Sequence, residues 1–270
     1  MIIRLPYQSD WETFSALACR ENWRVPRTEL QLFKGPWAQY VRVLDDHKFC
    51  ALLTSVAYEK SAWIGNLIVP HKLRCKGYGS HLFKAVFADL VERGMTSIWL
   101  TASDQGRSIY EKEGFVEVDC IERWVLSPRA AIGSPLQGEN LFKELFYADR
   151  LAWSENRTPL LTVLCEGGQV FAVEGAIALL QAGPDMQIIG PWYAHEASLH
   201  THQALLNRMI AATDPKVPVV VDLLSSSPLP ELCDSAGFQL TGRTALMAYG
   251  DIGPINLKSM VSLASLGSVG

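Results

Sequence analysis

The stretch Ile68-Val69-Pro70-His71-Lys72-Leu73-Arg74-Cys75-Lys76-Gly77-Tyr78-Gly79-Ser80 carries the residue types that hold phosphate. Gly77 and Gly79 let the backbone turn its amides toward one point. A helix predicted to start there adds unpaired N–H groups and the positive end of its dipole. Such a loop suits a pyrophosphate, and Arg74 and Lys76 add positive charge. Taken alone, these residues also describe a glycine-bearing strand-to-helix turn with incidental basic side chains. Cys75 is either a thiol activated by the helix end and its cationic neighbours or a plain loop residue. His195, His200 and His202 form a second polar group. Their spacing is not that of a zinc site and no cysteine or carboxylate partner is placed beside them, so no metal is expected.

The elements that must position this loop follow from periodicity. A β-rich run over 62–69 precedes it. After it, Leu82, Phe83, Val86, Phe87, Leu90 and Val91 recur at helical spacing and predict an amphipathic helix over 79–93. Upstream, the pattern predicts a short strand over 2–5, a helix opened by Ser9-Asp10, a helical piece over 28–33, and strands over 40–44 and 49–58. Downstream it predicts a buried strand over 97–101, a short helix over 106–113 stopped by Gly114, and a strand or pair over 115–126. Residues 127–138 hold two prolines and two glycines without periodicity and read as a linker. The second half repeats the layout: a helix over 141–153, strands over 160–164, 170–180 and 186–193, a helix over 199–212, a strand over 217–224, a short helix over 229–236 and a strand over 238–249. Ile64-Gly65 matches Ile189-Gly190, and Gly114-Phe115 matches Gly237-Phe238, at similar separations.

Composition bounds the class. With 270 residues, 49% hydrophobic and 19% charged, the chain can bury one large core or two ordinary ones. Its net charge of −4 gives no basic field, so nucleic acid is not an expected partner. Residues 1–128 carry 16 basic and 15 acidic side chains, against 8 and 13 in the remainder, so a polyanionic cofactor is drawn weakly to the first half. Six scattered cysteines without metal or disulfide spacing read as reduced thiols. No signal-peptide pattern opens the sequence and no apolar run approaches the ~18 residues of a membrane span, so a cytoplasmic protein without membrane contact is expected. A homodimer is left open. The apolar, small-residue-rich stretch 251–270 is expected to pack back on the protein.

The loop, together with Ser108-Ile109-Tyr110-Glu111-Lys112-Glu113-Gly114-Phe115 about thirty residues later, closely resembles the GNAT N-acetyltransferase superfamily. That family has an R-x-x-G-x-G/A loop after its fourth strand and a tyrosine-bearing short helix ending in Gly-Phe. The resemblance covers roughly 38–126. It implies a mixed α/β (α+β) GNAT fold with an acetyl-CoA-binding domain over 1–128. Asp149-Arg150, Ile189-Gly190-Pro191-Trp192 and Ala236-Gly237-Phe238 resemble, less closely, the degenerate C-terminal domain of two-domain GNAT proteins, which implies a linker over 129–138 and a degenerate GNAT-like domain over 139–270. By the first resemblance the strand at Leu67, Ile68 and Val69 splays to receive the pantetheine arm, with an N–H near Ile68 polarising the thioester. The amides of Arg74, Cys75, Lys76, Gly77, Tyr78, Gly79 and Ser80 hold the pyrophosphate. Tyr110 protonates the departing thiolate. Cys75 departs from the pattern, since many members have glycine there.

The second half lacks the loop: 191–202 contains no glycine, arginine or lysine, and Cys233 falls where Tyr110 stands in the first half. Trp63, Glu174, Trp192 and Tyr193 are candidates to line an acceptor pocket at the junction of the halves. No general base stands out; Glu59, Glu117 and Glu122 lie on plausible strands, and a water chain would serve as well. The resemblance implies transfer of an acetyl group from acetyl-CoA to a small, amino-acid-like amine by direct attack. Acetylation of a protein lysine or N-terminus and a CoA-binding sensor with little turnover are the alternatives.

Overall fold

Residues 1–130 and 136–270 are described by the computed structural model. The first repeat runs β1 (Ile2–Arg4), α1 (Gln8–Arg20), α2 (Arg27–Lys34), β2 (Val41–Asp45), β3 (Phe49–Ala57), β4 (Ser61–Ile68), α3 (Tyr78–Glu92), β5 (Ser97–Ala102), α4 (Asp104–Glu111) and β6 (Val116–Leu126). The second runs α5 (Phe142–Trp153), α6 (Thr158–Leu164), β7 (Gln169–Val173), β8 (Ala176–Gln181), β9 (Gln187–Ala194), α7 (Leu199–Ala212), β10 (Val219–Leu224), α8 (Pro230–Ser235) and β11 (Gln239–Gly250). From α1 to β6 and from α5 to β11 the order of helices and strands is the same. A last strand, β12 (Met260–Ser262), follows.

Most predicted elements appear within a few residues of their expected bounds, with two exceptions. The run 160–164, expected as a strand, is helix α6. Leu160 and Leu161 are buried together, and Thr162 Oγ1 donates to the Thr158 carbonyl one turn back. A short run of Leu, Val and Thr fits either periodicity, and packing decides it. The run 170–180 is a hairpin turning at Glu174-Gly175. Of the expected linker, 131–135 lie outside the described residues. Beside them, Leu136 N–H donates to the Ala211 carbonyl and Gly138 N–H to Gln169 Oε1.

All twelve strands form one sheet in the order β1-β2-β3-β4-β5-β11-β6-β10-β12-β9-β8-β7. The two repeats exchange their closing strands. β11, from the second repeat, lies antiparallel between β5 and β6, with Ala245 opposite Ala102 and Thr244 opposite Ile121. β6, from the first, pairs in turn with β10, with Leu126 opposite Val219. In each repeat the third strand of the meander runs parallel to the next: β4 beside β5, and β9 beside β10. α3 packs one face of the first repeat through Leu82, Phe83, Val86 and Leu90 against Ala62, Ile64, Ile98 and Leu100. α1 and α2 cover the other face through Trp11, Phe14 and Phe33.

The stretch 260–270 packs back, as its composition suggests. β12 fills the gap between β9 and β10, pairing with both. Residues 263–270 then cross to the first repeat without regular structure, and side chains satisfy much of their buried backbone. Gln181 Nε2 donates to the Ala264 carbonyl at 2.7 Å, Arg123 Nη2 to Leu266 at 2.9 Å and Trp63 Nε1 to Gly267 at 3.1 Å. Tyr58 Oη donates to Val269, and Arg157 Nη2 reaches the Gly270 carbonyl at 3.3 Å. The matched glycines explain themselves here. A Cβ on Gly65 would stand 2.8 Å from the Gly267 carbonyl oxygen, and one on Gly190 would strike that of Leu263.

Arg123 joins three parts of this arrangement. From β6 it grips both carboxylate oxygens of Asp222 on β10, at 2.7 and 2.6 Å, while holding Leu266. Asp222 is almost fully buried. Arg123→Ala strands that carboxylate without a partner and should destabilise the fold by about 3 kcal/mol, read as a lowered urea midpoint at unchanged slope.

Candidate active site

β4 and β5 begin side by side, with Ser61, Ala62 and Trp63 opposite Ser97, Ile98 and Trp99, and pair no further. On the β3 side, Thr54 faces Gly65 and Leu52 faces Ile68, so Asn66 and Leu67 together oppose a single residue. This bulge bends β4 away from β5. Asn66 takes a left-handed conformation at φ 53°, which asparagine tolerates better than most residues, and its Nδ2 donates to Thr54 Oγ1 at 3.2 Å. Among the described residues, the edge of β4 facing β5 has no ladder partner beyond Trp63, a template for an extended ligand.

The strand leads into the glycine loop. Gly77 caps α3 in the left-handed conformation, φ 84°, which a side chain would oppose. Gly79 is buried, and a Cβ there would press to 3.1 Å from Val69 Cγ2. Among the described residues, the N–H groups of residues 75–80 make no hydrogen bond within the chain. They leave donors free at the positive end of a 15-residue helix, an arrangement able to hold a diphosphate. The two cations differ. Arg74 is committed to Glu21 at 2.6 Å and to the Val69 carbonyl at 3.2 Å, whereas Lys76 is exposed. The Cys75 backbone has φ 60°, so the residue that departs from the glycine pattern is held in a conformation glycine favours.

Tyr110 projects from α4 into the apolar layer under α3. Its ring centre lies 4.9 Å from that of Phe83, and it shares its cluster with Ile64, Leu100 and Ala102 from the two diverging strands. Burial pushes its phenol up to about 12, so it holds its proton at neutral pH. Its hydroxyl makes no hydrogen bond among the described residues.

The opposite face of the gap belongs to 263–270 and α2. Gly267 and Ser268 lie against Gly65, and Gly270 rests on the Trp63 ring. Across them stands Glu29 of α2, a carboxylate that sequence reasoning passed over. It is buried, and burial pushes its carboxyl up to about 7, partly offset by the facing side chains of Ser268 and Asn66. Glu29 also borders a cavity of about 240 Å³ between α2, the end of α6, β8 and the 263–270 stretch. No local pattern marks this glutamate, because the residues that bury it come from distant parts of the chain.

The residues expected at an acceptor pocket do not converge. Trp63 underlies the 267–270 stretch. Trp192 is buried in the second core against His202, which burial makes harder to protonate. Tyr193 donates to Asp149 at 2.5 Å within a buried group that includes Arg157. Glu174 sits at the β7–β8 turn on the far edge of the sheet. The three carboxylates weighed as bases are engaged elsewhere: Glu59 accepts the Asn156 N–H, Glu117 pairs with Arg107, and Glu122 pairs with Arg243.

A mixed sheet whose fourth strand splays over a glycine-capped helix is the GNAT arrangement. Residues 5–115 match the model of the acetyltransferase (GNAT) family, and this part of the chain is a GNAT acetyltransferase domain. Members of the family use acetyl-CoA and act on amines. Solved structures share the fold. One, from Pyrococcus horikoshii and proposed to be an acetyltransferase, aligns over 100% of this chain and 95% of its own, with TM-score 0.79 and 19% identity. A GCN5-related N-acetyltransferase from Sphaerobacter thermophilus aligns over 94% and 98%, with TM-score 0.69 and 14% identity. Another from Anabaena variabilis aligns over 92% and 72%, with TM-score 0.53 and 13% identity. A search of curated protein sequences found no match. Among the described residues, no helix is long and apolar enough to cross a membrane.

The strained cysteine gives a test of the loop that needs no ligand. A left-handed non-glycine residue costs ~1–2 kcal/mol, and glycine costs ~0.5–1 kcal/mol in lost chain entropy. Cys75→Gly should therefore stabilise the protein slightly, by up to about 1 kcal/mol, a rise of about 2 °C in Tm by scanning calorimetry.

Proposed function

We propose that this chain transfers the acetyl group of acetyl-CoA to the amine of a small molecule, with the cofactor held by the first repeat alone. The observation that carries the reading is a contrast between equivalent gaps. Between β4 and β5 the gap is open toward the loop at residues 75–80. Between β9 and β10 the same gap is filled by β12, and no glycine loop follows β9. In the first repeat, Leu67, Ile68 and Val69 would pair with the pantetheine arm and the amides of residues 75–80 would hold the diphosphate. Arg74 contributes mainly to the loop's shape, through Glu21, and Lys76 supplies the free charge.

Tyr110 suits the role of proton donor to the departing thiolate. It lies in the layer beneath the gap and keeps its proton at neutral pH. The alternative of protein acetylation asks for an open groove on the acceptor face, and that face is covered by 263–270 and α2.

Calorimetry should find one acetyl-CoA per chain; two equivalent sites would contradict the contrast on which the reading rests. Gly77→Val should abolish binding, because the valine resists the left-handed turn, while Lys76→Ala should weaken it less than about tenfold. Tyr110→Phe should lower kcat by about 10²-fold, the low end for general acid catalysis, at nearly unchanged acetyl-CoA affinity. A fall in affinity to match would make the ring part of the binding pocket instead.

A further inference from the structure

Glu29 joins two features that are otherwise separate. Its carboxyl faces Asn66, at the bulge where β4 leaves β5, and its side chain lines the 240 Å³ cavity at the junction of the repeats. The cavity's apolar wall comes from Leu32, Val163 and Ile188, and its other carboxylate is Glu166. Its described lining residues include neither lysine nor arginine. Drug-sized sites occupy ~300–1,000 Å³, so this space fits a smaller body. A second hollow, of about 440 Å³ beside Trp37, Tyr40 and Tyr58, borders β3 and α6 and includes no residue of α2.

We infer that the cavity is the acceptor subsite, that it takes a small primary amine lacking a carboxylate of its own, and that Glu29 accepts the proton the ammonium sheds before attack. The inference rests on the acetyl-transfer reading above and narrows it. Two carboxylates and no cation attract an ammonium and repel an anionic group, which sets aside the amino-acid-like acceptor expected from sequence. The balance is simple. The ammonium gives one proton to Glu29, and the freed nitrogen attacks the thioester carbon. The C–N bond forms as the C–S bond breaks. Tyr110 protonates the thiolate and regains its proton from the nitrogen as the amide forms. Glu29 returns its proton to solvent through the cavity.

The groups facing Glu29 fit that work. Asn66 from β4 and Ser268 are neutral, and the Arg123–Asp222 pair from β6 and β10 is internally compensated. Glu166 also lines the cavity. With the carboxyl pushed up to about 7, Glu29 changes charge near physiological pH and is a stronger proton acceptor than a solvated glutamate.

The experiment compares Glu29→Gln with the unaltered protein, using tyramine and tyrosine as acceptors that differ only in the carboxylate. Wild type should prefer tyramine at least about tenfold in kcat/KM. With tyramine, E29Q should lose about 10²-fold at neutral pH, and its pH–rate profile should lack the rise near pH 7. Acetyl-CoA affinity should change less than twofold. The defect should shrink with aminoacetonitrile, an amine already uncharged at neutral pH.

A melting series reads the same carboxyl without turnover. Glu29's pKa is raised on folding, so its stabilising contribution is complete below the unfolded value near 4.5 and is lost as pH rises through 7. E29Q should melt with wild type at pH 4 and above it at pH 8. Wild-type turnover of tyramine with E29Q undiminished would overturn the role of Glu29 alone. Equal use of tyrosine would overturn the acceptor class. Bound acetyl-CoA with no amine acetylated at all would overturn the transfer reading and this one with it.

Discussion

The structure depends on the exchange of β6 and β11 between the repeats. Each repeat builds three antiparallel strands and one parallel neighbour, and then needs an antiparallel partner on the open side of that neighbour. The repeat's own last strand does not take that place. β11 covers β5 and β6 covers β10, so neither half keeps a satisfied sheet edge without the other. An unpaired edge at the middle of a buried sheet would leave a row of backbone donors and acceptors without partners. The exchange removes that edge and makes one continuous sheet of two repeats, whose relative position is fixed by hydrogen-bonded register.

Continuity lets one segment act on both halves. After β11 the chain seals the second gap with β12 and then crosses to the face of the first that α1 and α2 cover. The glycines at 65 and 190 occupy equivalent places and admit the same passing backbone. A single stretch thus closes one gap and walls the other. The absence of a glycine loop after β9 agrees with the filling of the gap by β12: a cleft holding its own strand has no room for an extended ligand.

What was legible in the sequence was what depends on local order. Gly77 and Gly79, the spacing of Leu82 to Val91, and Tyr110 before Gly114-Phe115 are short-range patterns, and the elements they announce are present. The matched glycine pairs announced the repeat. The strand exchange was not legible, because β5 and β11 pair across more than a hundred residues and any apolar strand of suitable length could fill that position. α6 was misread because a run of five residues does not distinguish helical from extended periodicity when both bury the same leucines. Three of the four acceptor residues inferred at the junction were aromatic, and aromatic residues at a junction mostly serve the core: Trp192 packs against His202, and Tyr193 serves Asp149. Glu29 was invisible because a glutamate on a polar helix reads as solvated until Ser268, from the far end of the sequence, is laid over it.

The side chains proposed for proton transfer stand on opposite faces of the same gap, and strand geometry accounts for it. Successive residues of β4 and β5 point to alternate faces. Ile64, Leu100 and Ala102 face α3 and bury Tyr110 in an apolar layer, where charge is penalised and the phenol stays protonated. Trp63, Gly65 and Thr101 face 267–270, and on that side Glu29 borders a cavity. Desolvation raises both groups, but from starting points far enough apart that at neutral pH the phenol is a donor while the carboxyl can accept. A thioester lying in the gap would then meet an amine from the side that takes protons and release its thiolate toward the side that gives them. The direction of transfer follows from which residues of β4 and β5 are odd and which are even.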